Sequence, residues 1–217
     1  MTTNTTYIPA LKYKWLTQFY DYLIQKFLKE RVWKSYFIES FANKAPQEIL
    51  DIGCGTGTLS MMIKSLYPDA VVTGLDGDSQ ILEIAERKSI ESGTKIQFVN
   101  GLSYKIPFPD NHFDIVTSTL MIHHLTDEDK IHTFKEVLRV LKPGGEFNIA
   151  DWGKPDNIGT RILFYSVQLL DGFKTTQSNV KGLLPQFLTS TGFRAVKELI
   201  KFKTIGGSIS VYKSIKT

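Results

Sequence analysis

The run Glu48-Ile-Leu-Asp-Ile-Gly-Cys-Gly-Thr-Gly57 puts three glycines and a carboxylate where an apolar run gives way to a helical pattern. Gly53, Gly55 and Gly57 carry no Cβ, so the backbone there can approach a ligand closely while the N–H groups of the following helix point outward. Asp51 sets the charge of that ligand: a carboxylate at the turn repels phosphate and attracts a cation or an amino group. The dinucleotide fingerprint, Gly-x-Gly-x-x-Gly with pyrophosphate resting on the helix N-terminus, has a different spacing. A second carboxylate, Asp76, closes the run Thr73-Gly-Leu-Asp76 just before Gly77 and is placed to accept both hydroxyls of a ribose.

His123 and His124 follow a later apolar run. A neutral imidazole there, with His123 preferred, could take a proton from a hydroxyl, amine or carbon acid near pH 7; the plainer reading is a histidine that caps or packs against its loop. Asp151 ends the next run and either orients substrate or a histidine, or anchors Trp152. Cys54 is the only cysteine, which excludes an internal disulfide and a Cys-ligated zinc set, and a nucleophile would not normally sit inside a glycine turn. No metal site is expected.

These groups need a scaffold that delivers strand ends to one edge. From Gln47 onward short apolar runs alternate with helical periodicity, the signature of βαβ units and a mostly parallel sheet. Strands are expected at 48–52, 70–75, 96–100, 113–119 and 146–150, with helices at 58–66, 79–92 and 127–141. Thr126 with Asp129 marks the start of the third helix, and Lys142-Pro-Gly-Gly145 its end. After Asp151 the alternation stops. A glycine-bearing segment leads to a short helix near 185–191, then strands at 195–204 and 208–215 joined through Ile205-Gly206-Gly207. Before the sheet, Leu11, Trp15, Phe19, Leu23 and Phe27 recur at fourfold spacing, followed by Val32, Tyr36 and Phe37, which predicts two amphipathic helices breaking near Glu30-Arg31.

The pattern Asp51-Ile-Gly-Cys-Gly-Thr-Gly57 resembles the first motif of class I methyltransferases, whose ligand carries a sulfonium and an α-amino group but no phosphate. Asn100-Gly-Leu-Ser-Tyr-Lys-Ile-Pro-Phe-Pro-Asp-Asn-His-Phe-Asp114, the stretch from Phe113 to Leu125, and Leu141-Lys-Pro-Gly-Gly145 resemble, in order, the later segments of the small-molecule methyltransferases of ubiquinone and menaquinone biosynthesis, the type 11/25 group. The resemblance covers residues 47–151 closely and the terminal hairpin loosely. It implies a Rossmann-like three-layer α/β sandwich with a mostly parallel seven-stranded sheet and a C-terminal antiparallel hairpin strand. It implies S-adenosyl-L-methionine as cofactor and S-adenosyl-L-homocysteine as product, held by Asp51, Gly53, Cys54, Gly55, Gly57, Asp76, Gly77, Leu102, Ser103, Thr117 and Ser118. The family usually has an acidic residue on the adenine amino group where this chain has Leu102, which leaves adenine to the Ser103 N–H and hydroxyl and to apolar packing. Tyr20 is the candidate contact from an N-terminal lid, and the expected organisation is one domain: 1–45 lid, 46–151 cofactor half, 152–217 substrate segment and hairpin.

The chain has 217 residues with a formal charge of +4, and its lysines are spread rather than gathered in one run. No nucleic-acid partner and no stable membrane insertion are expected, and a cytoplasmic monomer or weak homodimer is the anticipated form. No Asn/Asp-Pro-Pro-Tyr-like motif occurs at Ser118-Thr-Leu-Met121, and Cys54 is the only thiol, so methylation of nucleic-acid bases is disfavoured and a small, partly apolar acceptor is expected. Two other readings remain open at this level: a nicotinamide-dependent oxidoreductase, which needs room for phosphate beside Asp51, and a non-catalytic binder of the same cofactor.

Overall fold

The computed structural model describes residues 30–41, 45–204 and 206–217. The expected helix from Leu11 and the candidate Tyr20 lie outside them.

Seven strands form one sheet in the order β3-β2-β1-β4-β5-β7-β6. They are β1 (Glu48–Ile52), β2 (Val71–Asp76), β3 (Gln97–Asn100), β4 (Phe113–Thr119), β5 (Leu141–Trp152), β6 (Arg194–Thr204) and β7 (Gly207–Ile215). The first five pair in parallel, while β7 runs antiparallel between β5 and β6. The Rossmann-like fold expected from the sequence, with its C-terminal antiparallel hairpin, is the one that forms. Because β1 lies between β2 and β4, the strand order reverses direction there, and the crevice that opens at the carboxyl ends of β1 and β4 is where open α/β sheets take their ligands.

Both faces of the central strands are covered, which is why these runs are continuously apolar rather than alternating. Ile49 and Ile115 face one core with Trp33, Phe37 and Phe41 around helix α1 (Glu30–Glu39) and with Leu59 and Ile63 of α2 (Thr58–Leu66). Leu50 and Val116 face the other core, built on Phe134, Val137 and Val140 of α4 (Asp127–Val140) and Leu184 and Leu188 of α7 (Leu184–Thr191). Helix α3 (Ser79–Glu91) is capped by Asp78, whose carboxylate accepts from the N–H groups of Gln80 and Ile81.

Helix α4 starts as expected. The Thr126 hydroxyl oxygen accepts from the Asp129 N–H at 3.2 Å and donates back to the Asp129 carboxylate at 2.7 Å. It ends at Val140, and Lys142-Pro-Gly-Gly145 enters β5 as an irregular lead-in, the register shifting between Phe113 and Ile115. The segment after Asp151 differs from expectation, since it contains two further helices, α5 (Ile158–Asp171) and α6 (Phe173–Lys181). Asn157 and Thr160 form a capping box that starts α5, a pairing of residue types outside the usual Ser/Thr-with-Glu signal. No described helix is long and apolar enough to cross a membrane.

Candidate functional site

The glycine turn leaves β1 and is fastened to β2, with the Gly53 and Cys54 N–H groups both donating to the Leu75 carbonyl, at 2.7 and 3.1 Å. Gly53, Gly55 and Gly57 all adopt left-handed φ, of 67°, 54° and 74°. Two of them need glycine for different reasons. At Gly53 a Cβ would lie 2.3 Å from Met121 Cγ, so the turn and the loop after β4 are in contact; at Gly55 a Cβ would meet no atom within 4 Å, so the backbone borders open space. Gly57 starts α2 without a side-chain acceptor over the first N–H groups.

Asp76 is half-buried at the end of β2. One carboxylate oxygen accepts from the Gly55 N–H at 2.9 Å and the other from the Asp78 N–H at 3.0 Å. Burial raises its pKa against these bonds. Its backbone carbonyl accepts from Gly101 N–H and Asn100 Nδ2, which fixes the start of the loop after β3. Gly77, also half-buried, follows it in the bend before α3.

Asp51 is fully buried. It accepts from the Ser60 hydroxyl at 2.7 Å and the Thr117 hydroxyl at 3.1 Å. Desolvation pushes its pKa up to about 6, opposed by the two hydroxyls and by the Lys34 ammonium of α1. Lys34 is itself ion-paired with Glu30 and buried. The expected carboxylate is therefore present behind the turn, with hydroxyls aimed at it. Cys54 is buried in the turn with its thiol pKa pushed well above the usual value by burial and by Asp51 and Asp76, so it is an inert lining group.

Leu102 and Lys105 close a tight bridge after β3. The Ser103 hydroxyl, expected to be available for adenine, is instead paired at 2.9 Å with the Thr133 hydroxyl of α4. Thr117 and Ser118 are both buried at the end of β4, and the Ser118 hydroxyl has no partner among the described residues.

His123 and His124 form a 3₁₀ turn (Ile122–His124) beyond β4. Asp151 holds this turn from β5. Its carboxylate accepts from His123 Nδ1 at 2.7 Å, from the His123 N–H at 3.2 Å and from the Trp152 N–H at 2.6 Å, with Asn179 Nδ2 of α6 at 3.5 Å. Asp151 is thereby tied both to the histidine turn and to the Trp152 backbone. His123 Nε2 faces a second carboxylate, Asp171 of α5, at 3.4 Å. With carboxylates at both nitrogens, the imidazole is held charged, its pKa raised to about 9 although burial opposes the charge. At His124 burial and the neighbouring His123 charge lower the pKa to about 4. Sequence reasoning missed Asp171, because only the unrecognised helix α5 brings it to the pair.

A carboxylate behind a left-handed glycine turn, open space over Gly55 and a second carboxylate on the neighbouring strand fit an aminoacyl nucleoside that carries no phosphate. Fold and turn together have the form found in class I S-adenosylmethionine-dependent methyltransferases, and it is these that the chain resembles. Residues 49–145 match the family described as a methyltransferase domain. The chain is 33% identical over 152 residues to the ubiquinone/menaquinone biosynthesis C-methyltransferase UbiE of Shewanella sediminis, covering 68% of this chain and 60% of that protein. It is 35% identical over 123 residues to the demethylmenaquinone methyltransferase of Thermus thermophilus, covering 57% and 55% respectively. It therefore spans little more than half the length of these relatives. Among solved structures, a SAM-dependent methyltransferase from Aquifex aeolicus shares the fold with a TM-score of 0.68 at 18% identity, over 97% of this chain and all of that one.

Proposed function

We propose that the protein transfers a methyl group from S-adenosylmethionine to a small, partly apolar acceptor. The observation that carries this reading is the Asp76–Gly55 contact beside Asp51, two carboxylates and an open glycine backbone at the crevice of the sheet. Neither carboxylate favours a pyrophosphate, which argues against a nicotinamide cofactor.

The cofactor supplies an electrophilic methyl carbon on its sulfonium. This chain's residues hold and align it. Asp76 offers its carboxylate to the ribose hydroxyls while keeping the turn in shape. Asp51 supplies negative charge for the α-amino group, and Gly53, Cys54, Gly55, Gly57 and Gly77 provide the close backbone. Leu102 and the Ser103 N–H would take adenine, and Thr117 and Ser118 would back the methionine end. In-line displacement gains most of its rate from alignment in a dry site. At the acceptor end we assign roles to His123 and Asp151. A charged His123, fixed by Asp151, holds an oxygen of the acceptor or gives a proton rather than taking one. The N-terminal residues to 45, Tyr20 among them, would act as lid, residues 46–151 as the cofactor half and residues 152–217 as the acceptor side, within one domain. The even spread of lysines and the free cysteine suit a cytoplasmic monomer or weak homodimer without a nucleic-acid partner.

A thermal-shift comparison tests the cofactor: S-adenosylhomocysteine should stabilise the protein and NAD should not, and the reverse would sink the reading. Methyl-labelled cofactor with acceptor pools then tests the reaction. Quinone-ring compounds come first, since the relatives are named for quinone biosynthesis. Cofactor binding with no labelled product from any pool would point to a non-catalytic binder.

A further inference from the structure

A carboxylate-backed imidazole, a second imidazole and a further carboxylate meet at the carboxyl ends of β4 and β5. His123 Nε2, His124 Nδ1 and a carboxylate oxygen of Asp171 all lie within 4.8 Å of one another. The measured edges are 3.4 Å from His123 Nε2 to Asp171 Oδ2 and 4.0 Å from His124 Nδ1 to Asp171 Oδ1. A first-row ion bound at about 2.1 Å keeps neighbouring donors roughly 3.0–3.4 Å apart, so small side-chain movements would close the set.

We propose that His123, His124 and Asp171 form a site for a divalent transition-metal ion, with two imidazoles and one carboxylate as ligands.

Two further observations support it. The first is orientation: Asp151 engages His123 Nδ1 at 2.7 Å, which leaves Nε2, 3.4 Å from Asp171, as the nitrogen that would meet the ion, the carboxylate–histidine arrangement that aims and strengthens a metal-bound imidazole. The second is rigidity with access. The two rings stand 4.0 Å apart, centre to centre, on a 3₁₀ turn gripped by Asp151, whereas His124 and Asp171 are only partly buried, which gives an ion a way in.

The donor set selects the metal class. Two imidazoles and one carboxylate suit Zn²⁺, Fe²⁺, Co²⁺ or Ni²⁺ over Mg²⁺ or Ca²⁺, which prefer oxygen ligands alone. Three protein ligands also leave a position for an outside oxygen or nitrogen donor. A metal-bound Nε2 has no proton to give, so the ion would replace the donor role given to His123 above; cofactor binding and methyl transfer do not depend on the ion, and the two readings can fail separately.

The test uses the full chain without a histidine tag, stripped with chelator and titrated with Co²⁺ followed by visible d–d absorption, then with Zn²⁺ in competition. One Co²⁺ per chain with a band displaced by Zn²⁺ is expected. Asp171→Asn and His124→Gln should each weaken binding at least about tenfold, and Asp151→Asn about 10- to 100-fold through its hold on His123. His112→Gln, away from the cluster, should leave it unchanged. Absence of the band, or unaltered affinity in both Asp171→Asn and His124→Gln with their thermal melts intact, overturns the proposal.

Discussion

One carboxylate oxygen of Asp76 accepts the Gly55 N–H at 2.9 Å, so the residue we propose for the ribose is also the one that shapes the glycine turn. The other oxygen is engaged with the Asp78 N–H. Asp76→Ala removes two backbone partners and the charge together. Affinity for S-adenosylhomocysteine should fall about tenfold or more, roughly 1.4 kcal/mol. Calorimetry that finds unchanged affinity would remove Asp76 from the site.

Asp51 gives the pH dependence. Its pKa is raised to about 6 by burial, so the folded protein binds this proton more tightly than the unfolded chain. The sign follows: the contribution to stability is full below about pH 4 and is lost as pH rises through about 6, after which it is flat. The loss is at most about 3 kcal/mol for a shift of this size. The difference in melting stability between wild type and Asp51→Asn, measured from pH 7.5 down to 5, isolates this group from other carboxylates, and wild type should gain relative to the variant on acidification. If Asp51 supplies the charge for the amino group as proposed, cofactor affinity should move the opposite way, weakening below pH 6 as the carboxylate becomes neutral. If both quantities are indifferent to pH across this range, Asp51 is ionised throughout and the reading is wrong.

Arg139 of α4 governs the loop that leads from β3 to β4. Its guanidinium donates to the Ile106 and Phe108 carbonyls at 2.9 and 2.8 Å and pairs with Glu136 and Asp110. Glu136 in turn accepts the Ile106 N–H at 2.9 Å. A planar fork satisfies these acceptors together, which an ammonium cannot do. Arg139→Lys should therefore lose nearly as much as Arg139→Ala, on the order of 1–3 kcal/mol by denaturant unfolding. Full rescue by lysine would mean that charge alone matters there.

What the sequence made legible was local. Asp51, the three glycines and Asp76 lie at the ends of strands whose apolar runs are plain, and the cap at Thr126 and the break at Lys142-Pro-Gly-Gly145 are short-range signals. Asp171 and Thr133 were not legible as partners, because His123 meets Asp171 and Ser103 meets Thr133 only through tertiary packing. Helix α5 was hidden for a related reason. Ile158, Ile162, Leu169 and Leu170 are exposed on it while Phe164 and Val167 are buried, so apolar residues are not confined to one stripe and the period is blurred. The charge on His123 was equally out of reach, since it depends on two carboxylates from β5 and α5.

The contact between Gly53 and Met121 joins the cofactor turn to the loop that carries the histidines, and it can be probed by a mutant cycle. Gly53→Ala meets two obstacles: a φ of 67°, costing roughly 1–2 kcal/mol for an L side chain, and Met121 Cγ and Cβ at 2.3 and 2.7 Å from the new methyl. Because Met121 Cβ is itself too close, rotation of the side chain cannot clear the overlap and the loop must shift. The single variant should lose cofactor affinity as well as stability. Met121→Ala removes Cγ, so adding it to Gly53→Ala should recover part of the loss, leaving the φ strain and the residual overlap with Cβ. The double variant is expected to be at least about 0.5 kcal/mol more stable than the sum of the singles predicts. Strict additivity would show that the turn and the loop move independently and that the strain at Gly53 is confined to its own backbone.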